Sequence, residues 1–293
     1  TSNNINILSG LSPGTYYLEV YSDATVTCSG GTVYASNSGS NYKAIFTVDA
    51  DFISLNTIGS WVTEDFNTLA NSGSSNVLPL GWRIFETGTG ANNLYTAGTG
   101  TLTTGDSYSF GAASATDRTL GGLFSGSLNP SFGAKIFNNT SSTIVALSIS
   151  YTGETWRVGS ANRADRIDFQ YSLNATELNS GTWVNVDSLD YENVPQVTSP
   201  NSGSVIHSSN KQYTITGLSI APGSFFWIKW TDFDASGSDD GMGIDDFSIK
   251  PCFAISTPTV SAQSICGSGN ISNLSATGTA IAWYQNSSGG SPL

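Results

Sequence analysis

The sequence predicts an all-β chain whose centre is an antiparallel jelly-roll β-sandwich. Ser, Thr and Asn make up 102 of the 293 residues and Gly another 32, so turn formers and β-compatible polar residues dominate. Lys, Arg and Glu number only 5, 5 and 6, too few for the charged faces of ordinary helices. Apolar and polar residues alternate with period two along segments broken by Gly, Ser, Asn and Pro, the spacing of half-buried strands. At 293 residues the chain exceeds one average domain, and the pattern divides it into 1–58, 59–251 and 252–293.

Residues 1–58 read as short strands at 16–21, 24–28 and 43–48, separated by Ser, Gly and Asn turns. So few strands cannot close a sandwich by themselves. In the central segment, strands are predicted at 61–67, 81–86, 107–112, 131–137, 144–151, 166–171, 182–187, 211–218, 224–231 and 243–250. Val145, Leu147, Ile149 and Tyr151 share one face against Ala146, Ser148 and Ser150, while Ile167, Phe169 and Tyr171 oppose Arg166, Asp168 and Gln170. Both read as antiparallel strands with one wet face. This many short strands with almost no helical period predict a double-sheet roll.

Composition also removes function classes. His207 is the sole histidine, which excludes a His-pair metal site, and with three cysteines it leaves no set of two His and two Cys for zinc. A net charge of −12 with ten cations is the wrong sign for gripping a phosphate backbone, so nucleic acid is not an expected partner. No apolar run reaches the length of a membrane span, and Thr1-Ser2-Asn3-Asn4 has neither the charge nor the hydropathy of a signal segment.

Several runs carry a resemblance. Leu11-Ser12-Pro13-Gly14-Thr15-Tyr16-Tyr17 resembles a strand opening of Ig-like and adhesin repeats in Bacteroidetes-type surface proteins, where it falls in the second half of the domain. That implies that 1–58 is the C-terminal part of such a repeat. The runs Glu64-Asp65-Phe66-Asn67, Leu78-Pro79-Leu80-Gly81-Trp82, Gly153-Glu154-Thr155-Trp156-Arg157, Trp227-Ile228-Lys229-Trp230 and Gly243-Ile244-Asp245-Asp246-Phe247 resemble a jelly-roll accessory module of large secreted bacterial proteins. Ser264-Ile265-Cys266, followed by Ile281-Ala282-Trp283-Tyr284, is similar to the start of an Ig-like repeat, which implies that 252–293 is an N-terminal part. The resemblance implies a cell-surface or extracellular location, export by a type IX system, and neighbouring domains of the same polypeptide as partners. Its module carries no established chemistry of its own.

Six of the 22 acids, Asp232, Asp234, Asp239, Asp240, Asp245 and Asp246, lie within 15 residues, and like charges so close call for a cation. The start of this stretch mimics an EF-hand loop, but position 12 is Gly243 rather than Glu and no helices flank it. Strand parity gives a better site. If Phe247 and Ile249 face the core, period two turns Asp245 inward, and Phe66 likewise turns Glu64 inward. The resemblance implies that the first and last strands of the roll lie side by side with a structural Ca²⁺ at their seam. Oxygen ligands without His or Cys suit Ca²⁺, with Asp239 or Asp240 completing a shell around Glu64 and Asp245. The alternative is a solvated acidic loop.

Trp61, Trp183 and Tyr191, near strand ends, are the candidates for stacking on surface glycans, against the alternative of sheet-edge packing. Arg157, Arg163 and Arg166, close to Glu154, Asp165 and Asp168, read as an ion-pair network rather than a ligand clamp. Glu154 and Asp168 are formal glycosidase candidates that nothing marks, and His207 falls in a polar loop with no G-x-S-x-G elbow anywhere. The sequence therefore points away from an enzyme. Two readings stand: a structural or adhesive segment of a surface protein, and a carbohydrate-binding accessory module. Cys28 and Cys266 fit halves of Ig-like disulfides, while Cys252 pairing with Cys266 is the alternative.

Overall fold

The computed structural model describes residues 51–196, 198 and 203–253, the strands at 14–20, 22–23, 33–34 and 42–48, and residues 260–261, 263, 274–278, 281–285 and 291–292. The strands run in chain order as β1 (Gly14–Val20), β2 (Ser22–Asp23), β3 (Val33–Tyr34), β4 (Tyr42–Val48), β5 (Ile53–Leu55), β6 (Val62–Glu64) and β7 (Ser74–Ser75). Next come β8 (Trp82–Thr87), β9 (Tyr95–Gly98), β10 (Asp106–Phe110), β11 (Thr119–Leu123), β12 (Asn129–Asn138) and β13 (Ile144–Arg157). The series closes with β14 (Arg166–Ser172), β15 (Val184–Asn185), β16 (Tyr191–Glu192), β17 (His207–Ile220), β18 (Phe225–Asp232) and β19 (Gly241–Cys252). Among the described residues the one helical element is a 3-10 turn at Asp187–Leu189.

β1 pairs with β4 and β2 with β3, both antiparallel. The strand expected at 24–28 and most of 252–293 lie outside the described residues, as do Cys28 and Cys266. From β5 onward two sheets face each other. One has eight strands in the order β17-β13-β19-β11-β10-β9-β7, with β6 also on β19. The other has seven, β15-β14-β18-β12-β5, with β16 on β14 and β8 on β12. This is the predicted sandwich. Its limits reach beyond 59–251 at the start, because β5 hydrogen-bonds in parallel to β12 with Ile53 opposite Ile136.

Trp230 organises the interior. Its ring lies 5.0 Å from Phe169, 5.2 Å from Tyr151, 5.9 Å from Phe132 and Phe247, and 6.0 Å from Trp82. These side chains come from both sheets, and area burial plus edge-to-face geometry ties the layers together. A second apolar cluster, Tyr108, Phe110, Leu123 and Trp156, sits on the opposite face of the eight-stranded sheet.

β19 is the strand on which the seam depends. β13 runs along one side of it; on the other, Gly122 and Leu120 of β11 pair with Met242 and Ile244, and then Glu64 and Val62 of β6 pair with Phe247 and Ile249. Where the partner changes, the register against β13 slips between Ser150/Ser248 and Thr152/Asp245. Asp246 occupies the slip with φ +48°, a left-handed conformation that Asp tolerates better than most residues.

Candidate functional site

The bulge overturns the orientation expected of Asp245. Met242 and Ile244 face the core before it, and Phe247 and Ile249 face the core after it, so the parity changes hands within β19. Asp245 pairs with Thr152 and lies on the outer face of the eight-stranded sheet, beside Glu154. It is nevertheless buried, and its Oδ1 accepts the Asp246 N–H at 2.7 Å. Burial, then the charges of Asp246, Glu154 and Asp117, pushes its pKa up to about 7. Glu64 pairs opposite Phe247, half-buried, and its Oε1 accepts the Phe66 N–H at 2.9 Å. Burial raises its pKa as well, opposed by that bond.

Asp239 and Asp240 stand elsewhere, in the loop from β18 to β19, so the four acids expected around one ion are divided between two places. Arg163 reaches Asp165 at 2.9 Å and Asp240 at 3.5 Å, and also donates to the Ser238 carbonyl. Asp240 accepts from Gly159 N at 2.7 Å and from Asn193 Nδ2, while its own N–H donates to Asp165 Oδ2 at 2.9 Å. Asp239 Oδ1 accepts the Ala235 N–H at 3.0 Å. Asp232, at the end of β18, accepts the Phe124 N–H on Oδ2 at 2.9 Å, while its Oδ1 is buried without a hydrogen-bond partner. Burial and the neighbouring Asp165 push Asp239 and Asp240 up to about 6. For the same reasons Asp232 lies well above the usual carboxylate range. Among the described residues no group of three or more Asp, Glu, His or Cys side chains is arranged to hold a metal by itself.

The expected ion pairs form at Arg163–Asp165 and at Arg166–Asp168, the latter at 2.6 Å. Glu154 instead accepts from Thr119 and, at 2.9 Å, from Trp156 Nε1. It belongs to β13 in one sheet, whereas Asp168 belongs to β14 in the other, and both point away from the shared core. A sandwich thus separates the two formal glycosidase carboxylates, which cannot flank one scissile bond. His207 is not in a loop: it opens β17, with Nδ1 3.0 Å from the Tyr191 hydroxyl. Tyr191 is itself fully buried and not a stacking surface.

Trp61 is 43% exposed, with Lys250 Nζ 4.6 Å above its ring. Trp183 is half-buried against Trp227, Ala175 and Leu178; Lys229 Nζ sits 4.0 Å above it and its Nε1 donates to Ser180 O at 2.7 Å. Among the described residues Cys252 has no disulfide partner.

Sequence reasoning passed over Arg118 and Asn193, both buried. Arg118 Nε donates to Ser109 Oγ at 2.8 Å, and Asn193 Oδ1 accepts the Asp165 N–H at 2.9 Å. No local signal marks Asn193, because its partners come from 28 and 47 positions away.

No known family profile matches the chain, and no curated protein matches it. Solved structures that resemble it include the K3 cleaved adhesin domain of Lys-gingipain from Porphyromonas gingivalis, at 11% identity and a TM-score of 0.36, covering 59% of this chain and 93% of that one. Another is a family 11 carbohydrate-binding module from Clostridium thermocellum in complex with a mixed-linked tetrasaccharide, at 12% identity and a TM-score of 0.28, covering 67% and 98%. A third is an arabinose-bound α-L-arabinofuranosidase, at 8% identity and a TM-score of 0.35, covering 68% and 29%. At such identities and TM-scores these likenesses decide nothing about what the chain binds or does. Among the described residues no helix is long and apolar enough to cross a membrane.

Proposed function

We propose that the chain is a non-catalytic structural or adhesive segment of a large, secreted, multidomain bacterial surface protein. The observation that supports this best is where the aromatic faces go. Trp82, Trp156, Trp227 and Trp230 are buried, and Trp61 and Trp183, the two tryptophans expected to meet a sugar, each already carry a lysine ammonium over the ring. Within the same proposal the protein is exported, by a type IX system, and works with neighbouring domains of its own polypeptide. A glycan array probed with the whole chain and with its Trp61→Ala and Trp183→Ala variants is expected to give no signal that either substitution removes. Binding lost on Trp183→Ala would favour the carbohydrate-binding module instead.

One observation favours that second reading by another route. A polar groove of about 510 Å³ opens beside β14, lined by Asp168, Asn185, Asp190, Glu192, Arg166 and Lys211. Carboxylates and an amide at such a surface match the hydroxyl groups of a sugar without aromatic stacking. Glycan binding abolished by Asn185→Ala, with Trp61→Ala unaffected, would place a ligand there.

A further inference from the structure

The corner between β18 and β19 carries more negative charge than the protein compensates. Asp165, Asp232, Asp239 and Asp240 are all buried there, and Arg163 is the one cation paired with any of them among the described residues. The pairing is lopsided. Arg163, Gly159 N–H and Asn193 serve Asp165 and Asp240, on one side of the corner. Asp232 and Asp239, on the other, receive only the backbone N–H groups of Phe124 and Ala235. Asp232 is 5% exposed, and its Oδ1 has no hydrogen-bond partner. A buried carboxylate oxygen in that state is strongly unfavourable unless something meets it.

Two species can meet it, a proton or a metal cation. A proton on Oδ1 would answer Asp232 alone and leave the charge of the neighbouring Asp239 in place. A cation neutralises Asp239 at the same time. Asp239 lines a cavity of about 240 Å³ whose wall also holds Leu123, Ser125, Ser238 and Phe124, the residue whose N–H bonds Asp232. The cavity has room for the waters and carbonyl contacts that complete an oxygen shell when the protein supplies only two carboxylates. Arg157 borders the same cavity and forms no ion pair among the described residues.

We propose that Asp232 and Asp239 hold a divalent cation, best matched by Ca²⁺, at the root of the β18–β19 loop. Hard oxygen donors with no nitrogen or sulfur select calcium over transition metals, and Mg²⁺ demands a stricter octahedron. Two carboxylates and a water-filled remainder match the weak class of extracellular sites, with Kd on the order of 10⁻⁴ to 10⁻³ M. The cation would fix the loop to β11 through Phe124 and to β18 through Asp232. This site is distinct from the seam of Glu64 and Asp245, and it stands whether or not the adhesive reading holds.

The test is isothermal titration of the chelator-stripped whole chain with calcium chloride, beside Asp232→Asn, Asp239→Asn and Asp245→Asn. Asp232→Asn removes an unpaired buried charge, so the variant is expected to fold, as native-like near-UV circular dichroism would verify. Binding should weaken at least tenfold in Asp232→Asn and Asp239→Asn and be retained in Asp245→Asn. A calcium-soaked crystal of the unaltered chain should show an ion about 2.3–2.6 Å from Asp232 Oδ1. The proposal is overturned if the unaltered chain binds no calcium, if neither variant alters binding, or if Asp245→Asn alone abolishes it.

Discussion

Asp245 shows how one residue converts burial into a pH dependence. Its folded pKa of about 7 exceeds the unfolded value of about 3.9, so the folded state holds its proton more tightly. The stability this contributes is complete below about pH 4 and is lost as pH rises through about 7. Asp239 and Asp240, pushed up to about 6, add to it with the same sign. In chelator, the melting temperature is therefore expected to fall between pH 5 and 8, and Asp245→Asn should raise it at pH 8 and flatten the slope, as calorimetry would show. A melting temperature that climbs over this range would contradict the burial of these carboxylates. At the centre of the roll, Trp230→Ala should cost about 3–5 kcal/mol in urea unfolding, because five aromatic neighbours cannot close over the space. A loss under 1 kcal/mol would mean that Trp230 does not join the sheets.

At the scale of elements, β11 and β19 show what the sequence displays and what it hides. β14 and β18 were legible because their alternation holds, and β13 was legible from Leu147 to Tyr151, whereas a bulge between Ile144 and Ala146 puts Ile144 rather than the expected Val145 in the core. No strand is predicted at Thr119-Leu120-Gly121-Gly122-Leu123, yet it is a central strand. Its glycines are there for closeness: a Cβ on Gly121 would stand 2.1 Å from the Met242 carbonyl and 2.6 Å from Gly243 Cα. Gly121→Ala is thus expected to destabilise by about 2 kcal/mol or more, measured by denaturant midpoint, whereas Gly126→Ala, with open space around it, should be nearly silent. Equal effects would refute the close approach. β17 was half hidden for another reason, since an edge strand carries polar residues against unwanted pairing, and His207 to Asn210 therefore resemble a loop. β5, β7, β9 and β16 span two to four residues, too short for any period to register. The inward Asp245 failed because a bulge is invisible to a period-two count, although Asp246, at a positive φ, is a residue type that tolerates one.

For the molecule as a whole, the roll includes β5. Ile53 and Leu55 are buried, and the backbone of Ile53 lies so close to Gly81 that a Cβ there would meet its N at 2.5 Å. A fragment of residues 51–253 should melt in one cooperative transition, and trimming it to 59–251 should cost about 3–6 kcal/mol, the worth of two large aliphatic side chains. Equal stability would return the boundary to 59. The acids and aromatics that would serve a glycosidase are dispersed over two outer faces and an interior, and that dispersion is the basis for reading the chain as non-catalytic. Release of reducing ends from a panel of polysaccharides, measured over days with the whole chain and its Glu154→Gln variant, tests that reading most directly. No release above buffer is expected from either protein; turnover by the unaltered chain that disappears with Glu154→Gln would contradict it.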